Sequence, residues 1–361
     1  MKIAFQKMIN LLSAPLDPKR FCGCVLTVVV SCLIGVAAFN WIINPYGQYC
    51  SDLLQPIVQD SRSEKVDLFE RLASPPQGLI LGSSRAMKFE PEYLQSRTGK
   101  TFFNFAVNHG RPEDFLAIVR YYRQGTKGFP KILIVGVDVA SLTDAVPNDA
   151  RLSAEPRLYS LAKDTSSWND AFDQFSQLFS YQQLTSSIAS IRNLILSKKS
   201  SVTEQFFSDD GVIQYVNRQS QMNAGTYDFE SALDFNQDEF LLVFSQLNKI
   251  SQRRLAYLRE TVELCRENEC QVYLFTTVSH PRLRESLASK TKFAQVEAQA
   301  IKAIRELANN AGAIYEDFGT VDQFDGDPNC FVDGIHPLEP NTRRMIDRLI
   351  PQSMVGKYAI Q

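Results

Sequence analysis

The sequence predicts an α/β protein with a central parallel sheet of about five strands, preceded by a transmembrane helix. Two observations lead to this fold class. Short, almost wholly apolar runs alternate with longer segments of helical spacing, which is typical of buried parallel strands joined by helices that cover both faces of a sheet. In addition, residues 21–43 form one uninterrupted uncharged stretch near the N-terminus.

Five apolar runs have the length and composition of buried strands. They are residues 78–82, 101–107, 131–137, 271–277 and 313–317. Apolar residues recur at helical spacing in residues 112–123, 252–268, 292–311 and 339–349. Sites in parallel sheets form at the carboxyl ends of the strands, so the residues directly after these runs are the first candidates for chemistry.

The composition is that of a folded globular protein. Of the 361 residues, 44% are hydrophobic and 22% are charged, and this length allows one large domain or two modest ones. The formal net charge is −2 and no basic block occurs, which argues against nucleic acid as a partner.

The uncharged stretch at residues 21–43 would span roughly 30–35 Å as a helix, enough to cross the hydrocarbon core of a bilayer. Basic residues precede it and only Asp17 offsets them: Lys2, Lys7, Lys19 and Arg20. The positive-inside rule places this end in the cytoplasm and the chain after Ile43 outside it. We therefore predict a single-pass inner-membrane protein whose C-terminal domain is periplasmic.

This stretch has two other interpretations, a cleaved signal peptide and a buried helix. A cleaved signal peptide could end near Val36-Ala37-Ala38, but the apolar run is longer than the usual apolar region of such peptides. A buried helix of a soluble protein fits less well, because Asn40 is the only strongly polar residue in the run.

We divide the chain into a cytoplasmic segment (1–20), the transmembrane helix (21–43), a connector (44–75) and an extracytoplasmic domain (76–350). Within this domain, residues 146–247 break the alternation of strands and helices, because they are rich in Ser, Gln, Asn and aromatic residues. We interpret them as a partly helical insertion. Two roles stay open for it: a cover over the catalytic edge, or a peripheral decoration.

The cysteines carry no metal-binding pattern, since no Cys-x-x-Cys pair or Cys/His cluster occurs. In an oxidising compartment, Cys50, Cys265, Cys270 and Cys330 would be exposed to disulfide formation. Cys265 and Cys270 flank a helix-to-strand turn, and either a disulfide or two free thiols is open for them.

An acid and a histidine lie three residues apart near the C-terminus, in the segment FVDGIHP at residues 331–337. The segment is too rich in Gly and Pro for a helix, and the chain has only three histidines. A ring of His336 oriented by the Asp333 carboxylate would be a general base. The alternative is an Asx-turn with a surface histidine.

The candidate nucleophile is Ser84, in the segment LILGSSR at residues 79–85. It follows a predicted strand and Gly82, where a tight turn would expose its hydroxyl and aim backbone N–H groups at an oxyanion. A Gly-Ser-Ser turn is also a common helix N-cap. The G-x-S-x-G elbow of ordinary α/β-hydrolases is absent.

Together these motifs resemble those of the SGNH/GDSL hydrolase superfamily over residues 75–145 and 250–350. The family's Gly-Asp-Ser block corresponds to residues 82–84, and its Asp-x-x-His-Pro block to residues 333–337. The block with an oxyanion glycine corresponds to residues 104–110. Within this superfamily, the chain resembles the membrane-anchored members that modify envelope polysaccharides. These include the alginate O-acetylation proteins and the D-alanyl transfer protein of teichoic acid synthesis.

The resemblance implies a three-layer α/β/α fold and a triad of Ser84, His336 and Asp333, with Gly110 as an oxyanion donor. It also implies a serine esterase or O-acyltransferase without a metal or cofactor, acting on an envelope polysaccharide or acylated glycan. A polytopic membrane acyltransferase is the implied partner. The alternative is a catalytically inactive SGNH-fold protein that serves polysaccharide binding or assembly.

One block departs from the family, whose Gly-x-Asn-Asp is here Gly136-Val137-Asp138-Val139. A carboxylate beside a developing oxyanion is repulsive unless it is protonated or turned away. Either the oxyanion hole uses only the N–H groups of Ser84 and Gly110, or Asp138 structures its loop or pairs with Arg85. A structural and a catalytic role are both open for His109, next to Gly110.

Several cations follow the motif turns and would rim the same edge, where they would attract an anionic glycan or be scattered solvated charges. They are Arg85, Lys88, Arg111, Arg282 and Arg284.

Overall fold

The computed structural model describes residues 17–49, 53–54, 60–144, 150–162, 175–196, 206–245, 247 and 249–351. The chain divides into two compact units. One consists of Met1–Val58 with Ser167–Ser201, and the other of Gln59–Ser166 with Val202–Gln361. Cys50 and parts of the predicted connector and insertion lie outside the described residues. The domain boundaries given above stay predictions.

The secondary-structure elements are numbered in chain order. The helices are α1 (Pro18–Ile43), α2 (Arg62–Glu70), α3 (Pro91–Thr98), α4 (Pro112–Thr126), α5 (Ala150–Ala154), α6 (Pro156–Tyr159), α7 (Tyr181–Ile195), α8 (Val216–Asn223), α9 (Phe229–Ser245), α10 (Gln252–Arg266), α11 (Pro281–Lys290), α12 (Phe293–Ala311) and α13 (Glu339–Leu349). The strands are β1 (Gly78–Leu81), β2 (Phe102–Asn104), β3 (Ile132–Val137), β4 (Phe206–Phe207), β5 (Ile213–Gln214), β6 (Gln271–Thr276) and β7 (Ile314–Asp317).

The larger unit is built on a five-stranded sheet in the order β2-β1-β3-β6-β7, with every neighbouring pair parallel. This confirms the predicted α/β class and the five predicted strands. The second strand is shorter than predicted, ending at Asn104. Beyond it the chain still follows β1, because the N–H of Phe105 donates to the carbonyl of Ile80 and that of Val107 to Gly82.

Helices cover both faces of this sheet. Alternate strand residues point to opposite sides, so Leu133 and Val135 of β3 lie in one core cluster and Ile132 and Ile134 in the other. The first cluster takes in residues of α4, α10 and α12, and the second residues of α3 and α13. The resulting α/β/α arrangement leaves the carboxyl ends of the strands free to form a site.

The last part of the insertion, residues 206–245, begins with a hairpin of β4 and β5, whose turn lies at Asp209 and Asp210. The hairpin joins the sheet edge, since the N–H of Asn104 donates to the carbonyl of Asp210 at 2.8 Å. It also reaches the segment after β1, because the N–H of Ile213 donates to the carbonyl of Met87 at 3.1 Å. This part of the insertion is therefore attached beside the residues that follow β1.

Two further predictions concern the N-terminal helix and the cysteines. Helix α1 is long and apolar enough to cross a membrane, a property that an N-terminal signal sequence shares. Cys265 and Cys270 are free, buried thiols. A hydrogen bond with the Cys270 thiol, together with burial, raises the pKa of Cys265 well above its usual value.

Candidate active site

Ser84 lies in the turn that follows β1. Gly82 has a φ of 154°, and Ser84–Ala86 form one turn of 3-10 helix. The side chain of Ser83 caps this turn, because its Oγ accepts a hydrogen bond from the N–H of Arg85 at 3.2 Å. Ser84 is half-buried between two buried neighbours, so its hydroxyl reaches the surface at the carboxyl end of the sheet.

Two glycines allow the backbone to pack closely at this turn. A Cβ on Gly110 would lie 2.1 Å from the carbonyl oxygen of Gly82, a distance that no side chain tolerates. A Cβ on Gly82 would lie 2.7 Å from the Cβ of Ala86. The position of Ser84 is therefore set by contacts between backbone segments.

Asp333 and His336 lie in a loop between β7 and α13. One carboxylate oxygen of Asp333, Oδ1, accepts hydrogen bonds from the N–H of Ile335 at 2.9 Å and of His336 at 3.0 Å. This is the Asx-turn predicted as the alternative, and it coexists with the functional arrangement, because the same carboxylate also contacts the His336 ring. The loop is closed by the N–H of Val332, which donates to the carbonyl of His336 at 2.8 Å.

The structure brings the three predicted catalytic residues together. His336 Nε2 lies 2.8 Å from Ser84 Oγ, and His336 Nδ1 lies 2.8 Å from Asp333 Oδ2. With the ring proton on Nδ1, the ring donates to Asp333 and accepts the Ser84 hydroxyl proton at Nε2. The side chain of His336 is 17% exposed and that of Asp333 only 7%, so the pair is sheltered but reachable.

The environment keeps Asp333 ionised. Burial raises the pKa of its carboxyl, but the neighbouring His336, the N–H of Ile335 and the charge of Arg218 outweigh burial and lower the pKa to about 2. A buried carboxylate that stays charged can hold the imidazole in one tautomer and stabilise an imidazolium.

Side chains of the insertion support this loop, and sequence reasoning missed them. Asn236 Oδ1 accepts from the N–H of Gly334 at 2.9 Å, and the Tyr227 hydroxyl donates to the carbonyl of Val332 at 2.7 Å. Arg218 Nη1 lies 3.6 Å from Asp333 Oδ2. No motif or spacing marks these residues, because polar side chains in a polar helical segment look like a solvated face.

Tyr215 also lies beside the triad. Its ring is 6.4 Å from the His336 ring in an edge-on arrangement, and the cations of Arg218 and Lys88 lie 5.5 Å and 5.4 Å from its centroid. Burial raises the pKa of Tyr215 well above its usual range. The insertion therefore contributes an aromatic side chain next to His336.

The oxyanion role of Gly110 stays a prediction. Its N–H donates to the carbonyl of Val107 at 3.0 Å in this structure. The physical reason is the tight turn at residues 107–110, in which His109 has a φ of 51°. His109 itself is exposed. Among the hydrogen bonds of the described residues, none uses the N–H of Ser84.

Asp138 follows β3, and two partners hold its carboxylate in place. Its Oδ1 accepts from the Thr277 hydroxyl at 2.7 Å, and its Oδ2 lies 3.8 Å from Arg85 Nε. Arg85 continues the chain of contacts by donating to Ser279 Oγ at 3.1 Å. The structure thus has Asp138 paired with Arg85, one of the roles predicted for it.

The other predicted cations of the rim are also engaged locally. Lys88 lies 2.6 Å from Glu339, Arg282 forms two hydrogen bonds of 2.8 Å with Glu230, and Arg284 Nη2 lies 2.7 Å from Glu297. Attraction of an anionic glycan by these residues stays a prediction. Arg218, which was not predicted, is the cation that faces the triad carboxylate.

A cavity of about 800 Å³ lies beside the loop of Asp333 and His336. Phe331 and Leu338, on either side of Asp333 and His336, form part of its wall, and Tyr227, Phe229 and His280 complete an aromatic lining. Within the described residues, no group of three or more His, Cys, Asp or Glu side chains could hold a metal ion.

Among the comparisons with known proteins, the one with solved structures gives a match. No family model matches the chain, and no curated protein matches its sequence. Among solved structures, it is similar to a crystal structure described as a "putative acylhydrolase" from Bacteroides fragilis NCTC 9343. The identity is 12% and the TM-score 0.36, over 82% of this chain and 94% of that one.

Proposed function

We propose that this chain is a membrane-anchored serine esterase or O-acyltransferase of the SGNH type. One observation carries the proposal: the hydrogen-bonded chain from Ser84 Oγ through the His336 ring to the Asp333 carboxylate, with both links at 2.8 Å. This geometry is that of an activated serine nucleophile with an oriented base.

In the proposed reaction, Ser84 Oγ attacks the carbonyl carbon of an acyl ester while His336 Nε2 accepts the hydroxyl proton. Asp333 stabilises the imidazolium that forms. The C–O bond to the leaving alcohol then breaks as His336 returns the proton to that oxygen, which leaves an acyl-Ser84 ester. Water or a glycan hydroxyl, deprotonated by His336, attacks this ester and regenerates Ser84.

An envelope polysaccharide is the proposed substrate, and the N-terminal helix supports this location. Helix α1 is long and apolar enough to hold the chain in a membrane, and the basic residues before it favour a periplasmic active site. A polytopic acyltransferase would supply the acyl group in the transferase version. A C-terminal reporter fusion tests the topology: activity of a cytoplasmic reporter there would contradict it.

The test of catalysis uses the full chain in detergent and a fluorophosphonate, which reacts with activated serines. We expect labelling of the wild type, none of Ser84→Ala, and retained labelling of the matched control Ser83→Ala, whose hydroxyl caps the same turn. Turnover of a simple acetyl ester should follow the same order. Labelling that survives Ser84→Ala would contradict the assignment.

Hydrolysis and transfer are separated by how the acyl-enzyme divides between acceptors. With an acetyl ester donor, an esterase releases acetate at a rate that added oligosaccharide leaves unchanged. A transferase forms acetylated oligosaccharide at the expense of acetate. Both products must disappear in Ser84→Ala.

One observation favours a second function, a non-catalytic polysaccharide-binding or assembly protein. The N–H of Gly110, the donor that the family resemblance supplies, is bonded to Val107. Loss of one oxyanion donor typically costs about 10²–10³ in rate. Absence of any Ser84-dependent labelling, together with retained binding of an oligosaccharide, would favour this function.

A further inference from the structure

Helix α7 has its polar and apolar faces the opposite way round from a helix of a soluble domain. Gln183, Ser187 and Ser190 are buried although they are polar. In contrast, Tyr181 and Ile195 at the two ends of the helix are 82% and 73% exposed, with Ile188 between them also exposed. A helix on a soluble core buries its apolar stripe and exposes its polar one.

Exposed apolar residues lie on one side of the helix, with the exposed Thr185 and Arg192 between them. Tyr181, Ile188 and Ile195 are seven residues apart, which places them in a single stripe along the helix. Other apolar residues of the same segment are also exposed, namely Phe175, Phe179, Leu194 and Leu196.

Helix α7 packs against α1 within the smaller unit. The segments that follow α1 and precede α7 are linked beside this packing. The Tyr46 hydroxyl lies 3.1 Å from Ser186 Oγ, and Gln48 Nε2 donates to Gln177 Oε1 at 2.6 Å. Small and hydroxyl side chains between two helices, with apolar side chains outside, are the arrangement of helix pairs in membranes.

One contact fixes the depth of this packing. Asn40, the strongly polar residue of the apolar run, is fully buried and donates through Nδ2 to the carbonyl of Leu178 at 2.7 Å. Asn40 lies three residues before Ile43, which is about 5 Å from the end of the helix at 1.5 Å per residue. Leu178, three residues before α7, therefore lies at the depth of the C-terminal end of α1. In a bilayer this is where the hydrocarbon core meets the lipid headgroups.

We propose that α7 is a membrane-interface helix whose face of Tyr181, Ile188 and Ile195 is embedded in lipid beside the C-terminal end of α1. The occupant of this face is the bilayer itself. With 15 residues, the helix is about 22 Å long, too short to cross a hydrocarbon core of about 30 Å. Arg192, exposed in its last turn, can contact lipid phosphate.

The test measures tryptophan quenching in the full chain, reconstituted in liposomes of phosphatidylcholine and phosphatidylglycerol. The chain has two tryptophans, Trp41 and Trp168, and replacing both by Phe gives a silent background. Ile188→Trp is introduced there as the reporter. The matched control is Phe235→Trp, at an exposed aromatic position of α9 in the larger unit. Trp41 kept alone reports on insertion of α1.

We expect lipids brominated near the headgroup to quench Ile188→Trp strongly, and lipids brominated at the bilayer centre to quench it weakly. An interfacial helix buries its apolar face only about 5–10 Å deep. Phe235→Trp should respond to aqueous acrylamide and not to brominated lipid.

Three results would overturn the proposal. Quenching of Ile188→Trp by acrylamide alone would place this face in water. Protection from both quenchers would mean that a protein surface covers it, either a second copy or another part of the chain. Absence of lipid quenching for Trp41 would remove α1, and α7 with it, from the bilayer. The test does not depend on catalysis, so it stands apart from the Ser84 labelling experiment.

Discussion

Two segments carry the candidate triad, and they are held in place by different means. The turn with Ser84 is fixed by backbone contacts, with the N–H of Val107 on the carbonyl of Gly82 and a glycine where any Cβ would clash. The loop with Asp333 and His336 is fixed by side chains from the insertion, chiefly Asn236 and Tyr227. One half of the site belongs to the sheet and the other half depends on a segment far away in sequence.

This difference predicts different responses to substitution. A segment held by close backbone packing is intolerant of added atoms, because neighbouring backbone cannot move aside. A loop held by side-chain hydrogen bonds is sensitive to removed atoms, because each loss leaves a buried N–H or C=O without a partner.

The largest effect on activity is expected inside the loop itself. Asp333→Asn keeps the shape of the side chain but removes the charge that holds the ring of His336 in its tautomer. Turnover of an acetyl ester should fall by about 10⁴. Asp322→Asn, at an exposed acidic residue, is the control and should be active. If turnover falls only about tenfold or less, Asp333 does not orient the base.

The second prediction tests the backbone-held half. Gly110→Ala places a methyl group 2.1 Å from the Gly82 oxygen, so the turn before Ser84 must shift. We expect about 1–3 kcal/mol of destabilisation in urea unfolding and a fall of about 10² in turnover, since a displaced nucleophile attacks poorly. In Gly125→Ala, a helical glycine with open space around its Cα, stability should rise slightly. Equal behaviour of the two variants would contradict the close packing.

The third prediction tests the side-chain-held half. Asn236→Ala leaves the N–H of Gly334 without its acceptor, which should cost about 1–3 kcal/mol and loosen the loop. Turnover should fall roughly tenfold through kcat, with KM little changed. Phe235→Ala, one residue earlier and exposed, is the matched control. If kcat is unchanged in Asn236→Ala, the insertion does not support catalysis.

The features that sequence reasoning predicted are those encoded locally. Four of the five strands are mostly apolar runs whose neighbours in the sheet need only be apolar as well, and β7 is an edge strand with two acidic residues. The contact between Asp333 and His336 is made within one turn, so three-residue spacing was enough to suggest it. The pairing of Ser84 with His336 is remote in sequence, and it was reached through the resemblance of two motifs.

Most of the features that were missed depend on tertiary contacts. Asn236 and Arg218 contact the loop of Asp333, which is far away in sequence, so nothing in their spacing marks them. Gly110 matches a motif position, but a motif does not show that its N–H already bonds Val107. The reversed faces of α7 become visible only once burial is known, because an amphipathic pattern alone does not tell which side faces protein.

The smallest expected effect concerns Arg218, which assists the loop from a one-third exposed position 3.6 Å from Asp333. The pKa of Asp333 is about 2 in the folded chain, below its unfolded value of roughly 3.9. The ionised carboxylate therefore stabilises the fold above about pH 4, and this stabilisation is lost as the pH falls through 2.

Arg218→Gln should raise the folded pKa of Asp333 and lower stability at neutral pH by no more than about 1 kcal/mol, because solvent screens the pair. The difference from wild type, measured by urea unfolding, should stay constant from pH 7 down to about 4 and shrink only as the pH falls towards about 2. Arg218→Lys should restore most of the stability. In the Asp333→Asn background, Arg218→Gln should change nothing. A loss of the same size in that background would show that Arg218 acts on the fold by another contact, and that the loop is held by hydrogen bonds alone.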